Sequence, residues 1–242
     1  MIDYARVIFT GGSGLLGSEF KKILPDIDYP SSKQLNVTDY EQMRRYVERK
    51  GCELILHAAA FISPPLIEKD PLKALEVNIV GTANVVKVCM EFEARLIYLS
   101  TDYVFKGDKG NYKEDDPVYP VNRYAWSKLG GECAVRMYDK SLIVRTTFGA
   151  NVFPYEKAFV DQWTSRESVG VIAKKISTLI DKDITGVIHV GGAKKTVFEY
   201  AKSLDETRDI GKLFINDVAF EAPVDTSLNC DRYNELMAEQ QS

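Results

Sequence analysis

Histidine and cysteine are scarce: two and four in 242 residues. Cys52, Cys89, Cys133 and Cys230 show no paired spacing, which reads as reduced thiols of a cytosolic protein. His57 and His189 fall in strand-like runs, where a core role is expected, so no metal site is expected. No apolar run approaches the roughly 18–20 residues of a membrane span. A strand is expected almost from the first residue, which leaves no room for a leader segment and points to the cytoplasm. Positive charge is also short. Thirty-one Lys and Arg against 35 Asp and Glu give a net charge of -4, with no basic block, so nucleic acid is not an expected partner. Repeats, low-complexity segments and an obvious linker are missing too.

What is present is a core-forming chain, 45% hydrophobic and 27% charged, long enough for one large domain or a domain with a small appendage. Its most informative stretch is Thr10-Gly11-Gly12-Ser13-Gly14-Leu15-Leu16-Gly17. Residues 5–10 read as a buried strand and residues 15–24 as a helix stopped by Pro25. A strand, a glycine turn and a helix in that order make a phosphate cradle: free N–H groups and the positive end of the helix dipole face an anion. The spacing fits Gly12-x-Gly14-x-x-Gly17 and also Gly11-x-x-Gly14-x-x-Gly17.

Strand and helix signals then alternate. Residues 26–29 form a weak second strand ended by Pro30-Ser31-Ser32. Thr38 or Asp39 caps a helix to about Lys50, with Tyr40, Met43 and Val47 on one face. Residues 53–60 form a third strand, and Pro64-Pro65 marks a loop. Residues 71–92 read as one long helix with an apolar stripe of Ala74, Leu75, Ile79, Ala83, Val86 and Met90. Strands are expected over 95–100, 141–146 and 186–190, and helices over 121–138, 169–181 and 198–204, with a polar helix from about Asp231. This alternation predicts an α/β fold: a doubly wound, mostly parallel Rossmann sheet whose ligands bind at the carboxyl ends of the strands. Residues 1–150 are expected to be the dinucleotide-binding domain. Residues 151–242 are expected to complete the sheet and form a small, shortened substrate-binding portion.

Tyr124-Ala125-Trp126-Ser127-Lys128 sets a phenol and an ammonium one helical turn apart on one face. A free tyrosine titrates near pH ~10. A cation about 4 Å away, at an effective dielectric of about 20, contributes roughly 4 kcal/mol. That is about three pKa units, enough to bring a phenol near neutrality, where it works best as an acid or base. The spacing alone also suits any amphipathic helix surface. Thr101, at the end of the fourth strand, would put a hydroxyl beside the same pocket, and Asp102 suits a loop-fixing role.

These pieces together resemble the extended short-chain dehydrogenase/reductases, and among them the dTDP-4-dehydrorhamnose reductases. The likeness rests on residues 10–17, 34–39, His57-Ala58-Ala59-Ala60, Asn78, residues 100–105, Tyr124 to Lys128 with Gly131-Glu132, residues 143–146 and residues 225–228. It implies a catalytic trio of Thr101, Tyr124 and Lys128. It implies cofactor contacts from Gly11, Gly12, Ser13, Gly14, Leu15, Leu16, Gly17, Asn36, Val37, Ala58, Ala59, Ala60 and Asn78, with Tyr124 and Lys128 reaching the nicotinamide side. The implied reaction is hydride transfer to a 4-keto sugar linked to a nucleotide, with Tyr124 protonating the oxygen, Thr101 bonding it and Lys128 orienting the ribose. The stretch between Arg145 and Gly186 is short for that family, and residues 159–164 look like two family segments joined after a deletion.

Aligning residues 35–39 with the family pattern puts Ser31, Ser32 and Lys33 beside the ribose. Their donors suit a 2′-phosphate, so NADP(H) is the expected cofactor and NAD(H) the alternative, with Asp28 the only nearby candidate for the acidic residue at the strand's end. Related enzymes often pair through the helices carrying Asn78 and Tyr124. Apolar Val80, Val85, Val88, Ala134 and Met137 make a homodimer the expectation. Two further readings stand beside the reductase: a nucleotide-sugar epimerase on the same scaffold, and a cofactor-binding regulatory subunit without chemistry. A dehydratase is disfavoured, because Tyr103 rather than an acid follows Asp102.

Overall fold

The computed structural model describes residues 2–218 and 223–239. The first half of the chain forms β1 (Val7–Thr10), α1 (Leu15–Ile23), α2 (Tyr40–Lys50), β2 (Leu54–His57), α3 (Pro64–Lys69), α4 (Leu72–Ala74), a π-helical stretch (Leu75–Gly81), α5 (Thr82–Glu91) and β3 (Arg95–Thr101). Then come α6 (Arg123–Val135), β4 (Ser141–Thr146), β5 (Phe148–Gly149), β6 (Lys157–Phe159), β7 (Trp163–Thr164) and β8 (Glu167–Ser168). The chain ends with α7 (Val169–Ser177), β9 (Gly186–Val190), β10 (Lys195–Thr196), α8 (Val197–Leu204), β11 (Gly211–Leu213) and α9 (Asp231–Ala238).

The contacts sort into two compact units. One comprises Met1–Ser100, Asn122–Val144 and Ala173–Val187; the other comprises Thr101–Val121, Arg145–Ile172 and Ile188–Ser242. Among the described residues the main sheet has five strands in the order β1-β2-β3-β4-β9, with β1–β2 and β2–β3 parallel. β1 and β2 are buried throughout and, up to the polar Thr10 and His57 at their carboxyl ends, are continuous apolar runs rather than alternating ones, the mark of a sheet covered on both faces. One face packs Met43 and Val47 of α2 with Val85, Val86, Val88 and Cys89 of α5 over Ile8, Ile55, Leu96 and Ile143. The doubly wound Rossmann architecture expected from the alternating pattern is the one found.

Four local expectations are corrected. Residues 26–29 do not form a strand; Asp28 makes a single parallel bridge to Ile8. Pro64-Pro65 opens α3 instead of a loop, because proline in a first helical turn gives up no intrahelical N–H. The long helix over 71–92 is interrupted by the π stretch, which adds a residue per turn and rotates the inward face. Leu75 and Met90 are therefore exposed at 51% and 42%, while polar Asn78 and Thr82 turn inward. Val85 and Val88, expected on a dimer surface, lie in the core of the unit; Val80 and Met137 are exposed.

The second unit is built of short pieces. β6 pairs in parallel with β11, β5 in parallel with β8, and β7 antiparallel with β10. Phe153, Ala158, Val197, Tyr200, Ala201 and Ile210 form its own small core. Residues 159–164 lead from the end of β6 into β7, and β8, α7 and β9 separate β7 from its antiparallel partner β10 along the chain.

Candidate active site

The glycine loop follows the buried end of β1. Gly11 has φ +86°, and a Cβ there would lie 2.8 Å from the Ala59 nitrogen, so only glycine lets the turn press on the backbone after β2. A Cβ on Gly17 would come within 2.5 Å of the Gly12 Cα, which fixes α1 against its own loop. Gly14 is the N-cap of α1 and provides no side-chain cap, so the first-turn N–H groups are left for an external acceptor. Ser13, Gly14 and Leu15 are exposed, whereas Gly12, Leu16 and Gly17 are buried. The loop therefore fits a diphosphate through the backbone of residues 13–15, and Leu16 anchors it from below. Ala58, Ala59 and Ala60 lie half-buried beside it.

The expected ribose turn is held from within. The Ser31 N–H and hydroxyl donate to Gln34 Oε1 at 2.9 and 2.8 Å. Gln42 of α2 donates to the Lys33 carbonyl at 3.2 Å and accepts from the Asn36 N–H at 2.6 Å. Ser31, Ser32, Lys33 and Asn36 are exposed. Val37 is a core residue whose carbonyl accepts from Asn84, so its side chain is unavailable to a ligand. Asp28 is turned toward α2, accepting from the Tyr46 phenol at 2.8 Å and pairing with Lys50 at 3.5 Å.

A buried polar row crosses the carboxyl ends of the strands. Thr10 of β1 is in register with His57 of β2, and His57 with Tyr98 of β3. His57 Nδ1 lies 2.7 Å from the Thr10 hydroxyl, and its Nε2 lies 3.1 Å from the Thr82 hydroxyl. Thr82 donates to the Asn78 carbonyl at 2.8 Å. Its oxygen must then accept, which assigns the His57 proton to Nε2 and makes Thr10 the donor to Nδ1. Burial drives the His57 pKa down to about 3, with the Lys128 charge adding to it, so the ring is neutral. The expectation of a core histidine holds, and its partners are the last residue of β1 and the first of α5.

Asn78 is a brace. Its side-chain oxygen accepts from the Phe61 N–H at 2.7 Å, and its amide donates to the Phe61 carbonyl at 2.9 Å and to Ser127 of α6 at 2.8 Å. These bonds occupy the amide on protein groups, tying the loop after β2 to the helix of Tyr124. Ser127 in turn donates to the Tyr124 carbonyl at 2.7 Å.

On α6, started by an Asn122 side-chain cap, Tyr124 is half-buried and Lys128 fully buried. The Lys128 ammonium sits 4.3 Å from the Tyr98 ring centroid, and the Tyr98 phenol donates to the Lys128 carbonyl at 3.1 Å. Burial pulls the Lys128 pKa down to about 7, opposed by Glu132 one turn on. Glu132 is buried and accepts from the Ser100 hydroxyl. The sequence reading missed Tyr98, Thr82, Ser127 and Glu132 as supports of this lysine and helix. The signal was there: polar residues at inward positions of otherwise apolar elements.

Thr101 ends β3 and belongs to the second unit. Its hydroxyl donates to Asp102 Oδ1 at 3.1 Å and accepts from the Tyr103 N–H at 3.3 Å. The other carboxylate oxygen of Asp102 accepts from Thr226 at 2.6 Å. The matched segment 225–228 is laced to the loop after β3: Tyr112 N–H donates to the Ser227 carbonyl and Asn229 N–H to the Tyr112 carbonyl, at 2.9 and 2.8 Å. Among the described residues no helix is long and apolar enough to cross a membrane.

The RmlD substrate binding domain family model matches residues 5–224. The chain is 25% identical to methionine adenosyltransferase 2 subunit beta of Rattus norvegicus, over 97% of this chain and 83% of that protein. That alignment runs 278 positions against a chain of 242 residues, so this chain is the shorter of the two over the matched region. It is 31% identical to a probable low-salt glycan biosynthesis reductase of Haloferax volcanii, covering 75% of this chain and 72% of that one. A dTDP-4-dehydrorhamnose reductase of Bacillus anthracis, solved in complex with NADP, superposes with a TM-score of 0.86 at 27% identity, over 96% of this chain and 92% of that one. The chain belongs to the RmlD substrate binding domain family, and with it to the extended short-chain dehydrogenase/reductase group of nicotinamide-dependent oxidoreductases.

Proposed function

We propose that the protein reduces the 4-keto group of a nucleotide-linked sugar, with Tyr124, Lys128 and Thr101 as its working side chains and NADP(H) as the preferred cofactor. The observation that carries this reading is α6, which sets Tyr124 one turn from a buried Lys128 held over the Tyr98 ring. A bound reduced nicotinamide supplies the hydride. Tyr124 gives its proton to the oxygen of the carbon being reduced. Lys128 bonds the ribose hydroxyls and, while charged, lowers the cost of the tyrosinate left behind. Thr101 bonds the same substrate oxygen. Residues 1–150 hold the cofactor, and residues 151–242 contribute a reduced sugar-nucleotide portion.

Exposed Ser32 and Lys33, together with an Asp28 engaged by α2, support NADP(H) over NAD(H). Exposed Val80, Trp126 and Met137 support a homodimer through the helices of Asn78 and Tyr124. Four free cysteines agree with a cytoplasmic enzyme. The likeness to the rat subunit over nearly the whole chain favours one second reading, a cofactor-bound subunit without turnover. One experiment separates the two: NADPH oxidation with dTDP-4-dehydrorhamnose, alongside mass spectrometry of small molecules that copurify with the protein. Oxidation that vanishes in Tyr124→Phe supports the reductase. Cofactor binding with no turnover of that sugar, or of any copurifying one, overturns it.

A further inference from the structure

We propose that Asp102 is a positioning residue that sets the direction in which Thr101 offers its hydroxyl, with Thr226 completing the device; the inference rests on the reading of Thr101 as the group that bonds the substrate oxygen. A threonine hydroxyl has one proton to give. Here it is given to Asp102 Oδ1 at 3.1 Å, and the lone pairs accept from the Tyr103 N–H at 3.3 Å. In that state Thr101 faces a ligand as an acceptor, the wrong polarity for a carbonyl. Asp102 is 2% exposed and its second oxygen is taken by Thr226 at 2.6 Å. A proton on the carboxyl reverses the first bond: Asp102 donates to the Thr101 oxygen, and the Thr101 proton is released toward the substrate.

The surroundings bring that reversal within reach. Burial raises the Asp102 pKa above the ordinary aspartate value, and the Thr226 bond, the Arg166 charge and the Thr101 bond pull it back. Arg166, in the turn between β7 and β8, also bonds the Tyr103 phenol, the other titratable group facing the carboxyl. Thr226 arrives from a different part of the chain, hydrogen-bonded through its N–H to the Trp163 carbonyl at 3.1 Å, so the carboxyl is clamped from two sides. The carboxyl accepts from its own backbone N–H, as a loop-fixing aspartate does, but it also collects two hydroxyl protons, one of them from the residue whose hydroxyl is to be aimed.

The test is a pH titration of the full chain carrying 13C-carboxyl aspartate, with the Asp102 resonance identified by its loss in Asp102→Asn. Expected is a midpoint above the ordinary aspartate range that rises by about one unit in Thr101→Val and in Thr226→Val, the shift for losing one hydrogen bond to a charged acceptor, with Thr226→Ser restoring it. An Asp102 midpoint unmoved by Thr101→Val overturns the proposal, and a Thr226→Val that fails to fold leaves that comparison in place. With NADPH and dTDP-4-dehydrorhamnose, kcat should fall as pH rises through the same midpoint while KM stays within about threefold, and the break should vanish in Asp102→Asn. A break that persists in Asp102→Asn also overturns it. If wild-type protein leaves that sugar untouched while the resonance shifts as expected, the substrate reading fails and the hydrogen-bond device stands.

Discussion

Lys128 and Glu132 aside, the polar groups buried in the two units are held differently. In the first, a row of neutral groups from Thr10 through His57 and Thr82 to Asn78 passes hydrogen bonds from strand to strand and on into the π stretch. In the second, a carboxyl at Asp102 is clamped by two hydroxyls near an arginine. A neutral, fully partnered row is held mainly by burial and hydrogen bonds, with the Lys128 charge only reinforcing the neutral state of His57. A buried carboxyl is held by a balance of burial against charge-assisted bonds, and that balance can be shifted. The first arrangement suits holding a cofactor and a general acid in place; the second suits a group whose polarity matters.

The sharpest way to break this comparison is to remove a working group from each unit. Tyr124→Phe should lower turnover by about two to four decades, the scale for losing a general acid. Cofactor binding should stay nearly intact, because the variant keeps the ring. Thr101→Val should cost about two decades, the scale for one donor to a developing oxyanion. Lys128→Met should weaken both turnover and cofactor affinity. Stopped-flow turnover with equilibrium cofactor titration separates these effects. Tyr124→Phe within a few-fold of wild type would remove Tyr124 from the chemistry.

Acid sensitivity should differ in sign between the units. His57 is neutral in the fold with a pKa of about 3, against an ordinary value of 6.5, so below 6.5 only the unfolded chain takes up its proton. Its contribution is present above pH 6.5 and is lost as pH falls toward 3, at roughly 1.4 kcal/mol per unit once inside that window. Asp102 is raised, so the folded state binds a proton at a pH where the unfolded chain has released it, and stability falls as pH rises through that interval. Denaturant melts across pH should flatten at the acid end in His57→Gln and move the other way in Asp102→Asn. Parallel curves for wild type and His57→Gln would show that the ring is not buried neutral.

The first unit was largely legible because its elements are long enough to carry a period. Residues 95–100 lie in β3, where their apolar run puts them, and α2 starts on the Asp39 cap. The π stretch was not legible: the pattern over 71–92 fits a continuous helix, and only packing shows that Asn78 and Thr82 displace Leu75 from the inside. In the second unit β5, β7, β8 and β10 are two residues each, too short for any period. The site residues were found by type and spacing, but their supports were not, since Ser127 bonding Asn78 or Thr226 bonding Asp102 joins positions 49 and 124 residues apart.

Packing braces can be tested directly. Asn78→Ala strands the Phe61 N–H and carbonyl and removes one donor to the Ser127 hydroxyl, which keeps its own bond to the Tyr124 carbonyl, and should destabilise the chain by about 3 kcal/mol, given roughly 1–3 kcal/mol for a buried group left unpaired. Thr226→Ala in the second unit leaves one carboxylate oxygen without its donor and should cost about 1–2 kcal/mol. Urea melts of the two variants rank the braces. A smaller loss for Asn78→Ala than for Thr226→Ala would reverse the view that the first unit holds the more rigid network.

The smallest expected effect concerns the ribose turn, which is exposed and can contribute only when a ligand is bound. Ser32 and Lys33 lie at the tip of a turn pinned by Gln42 through the Lys33 carbonyl and the Asn36 N–H, so their side chains are displayed without holding the turn together. Replacing both by alanine should therefore leave the melting curve unchanged. It should weaken NADPH binding by about tenfold, the scale of a lost charge-assisted contact in partly exposed surroundings. NADH lacks the 2′-phosphate and should bind both proteins alike. Asp28→Asn supplies the complementary control. The carboxylate is committed to Tyr46 and Lys50, so its loss should not change NADH affinity, whereas a carboxylate that bonded ribose hydroxyls would take NADH affinity down with it. Calorimetric titration of both reduced cofactors into the three proteins reads each arm. Tighter NADH than NADPH binding to wild type, together with a loss in Asp28→Asn, would move the ribose contact from the turn to Asp28.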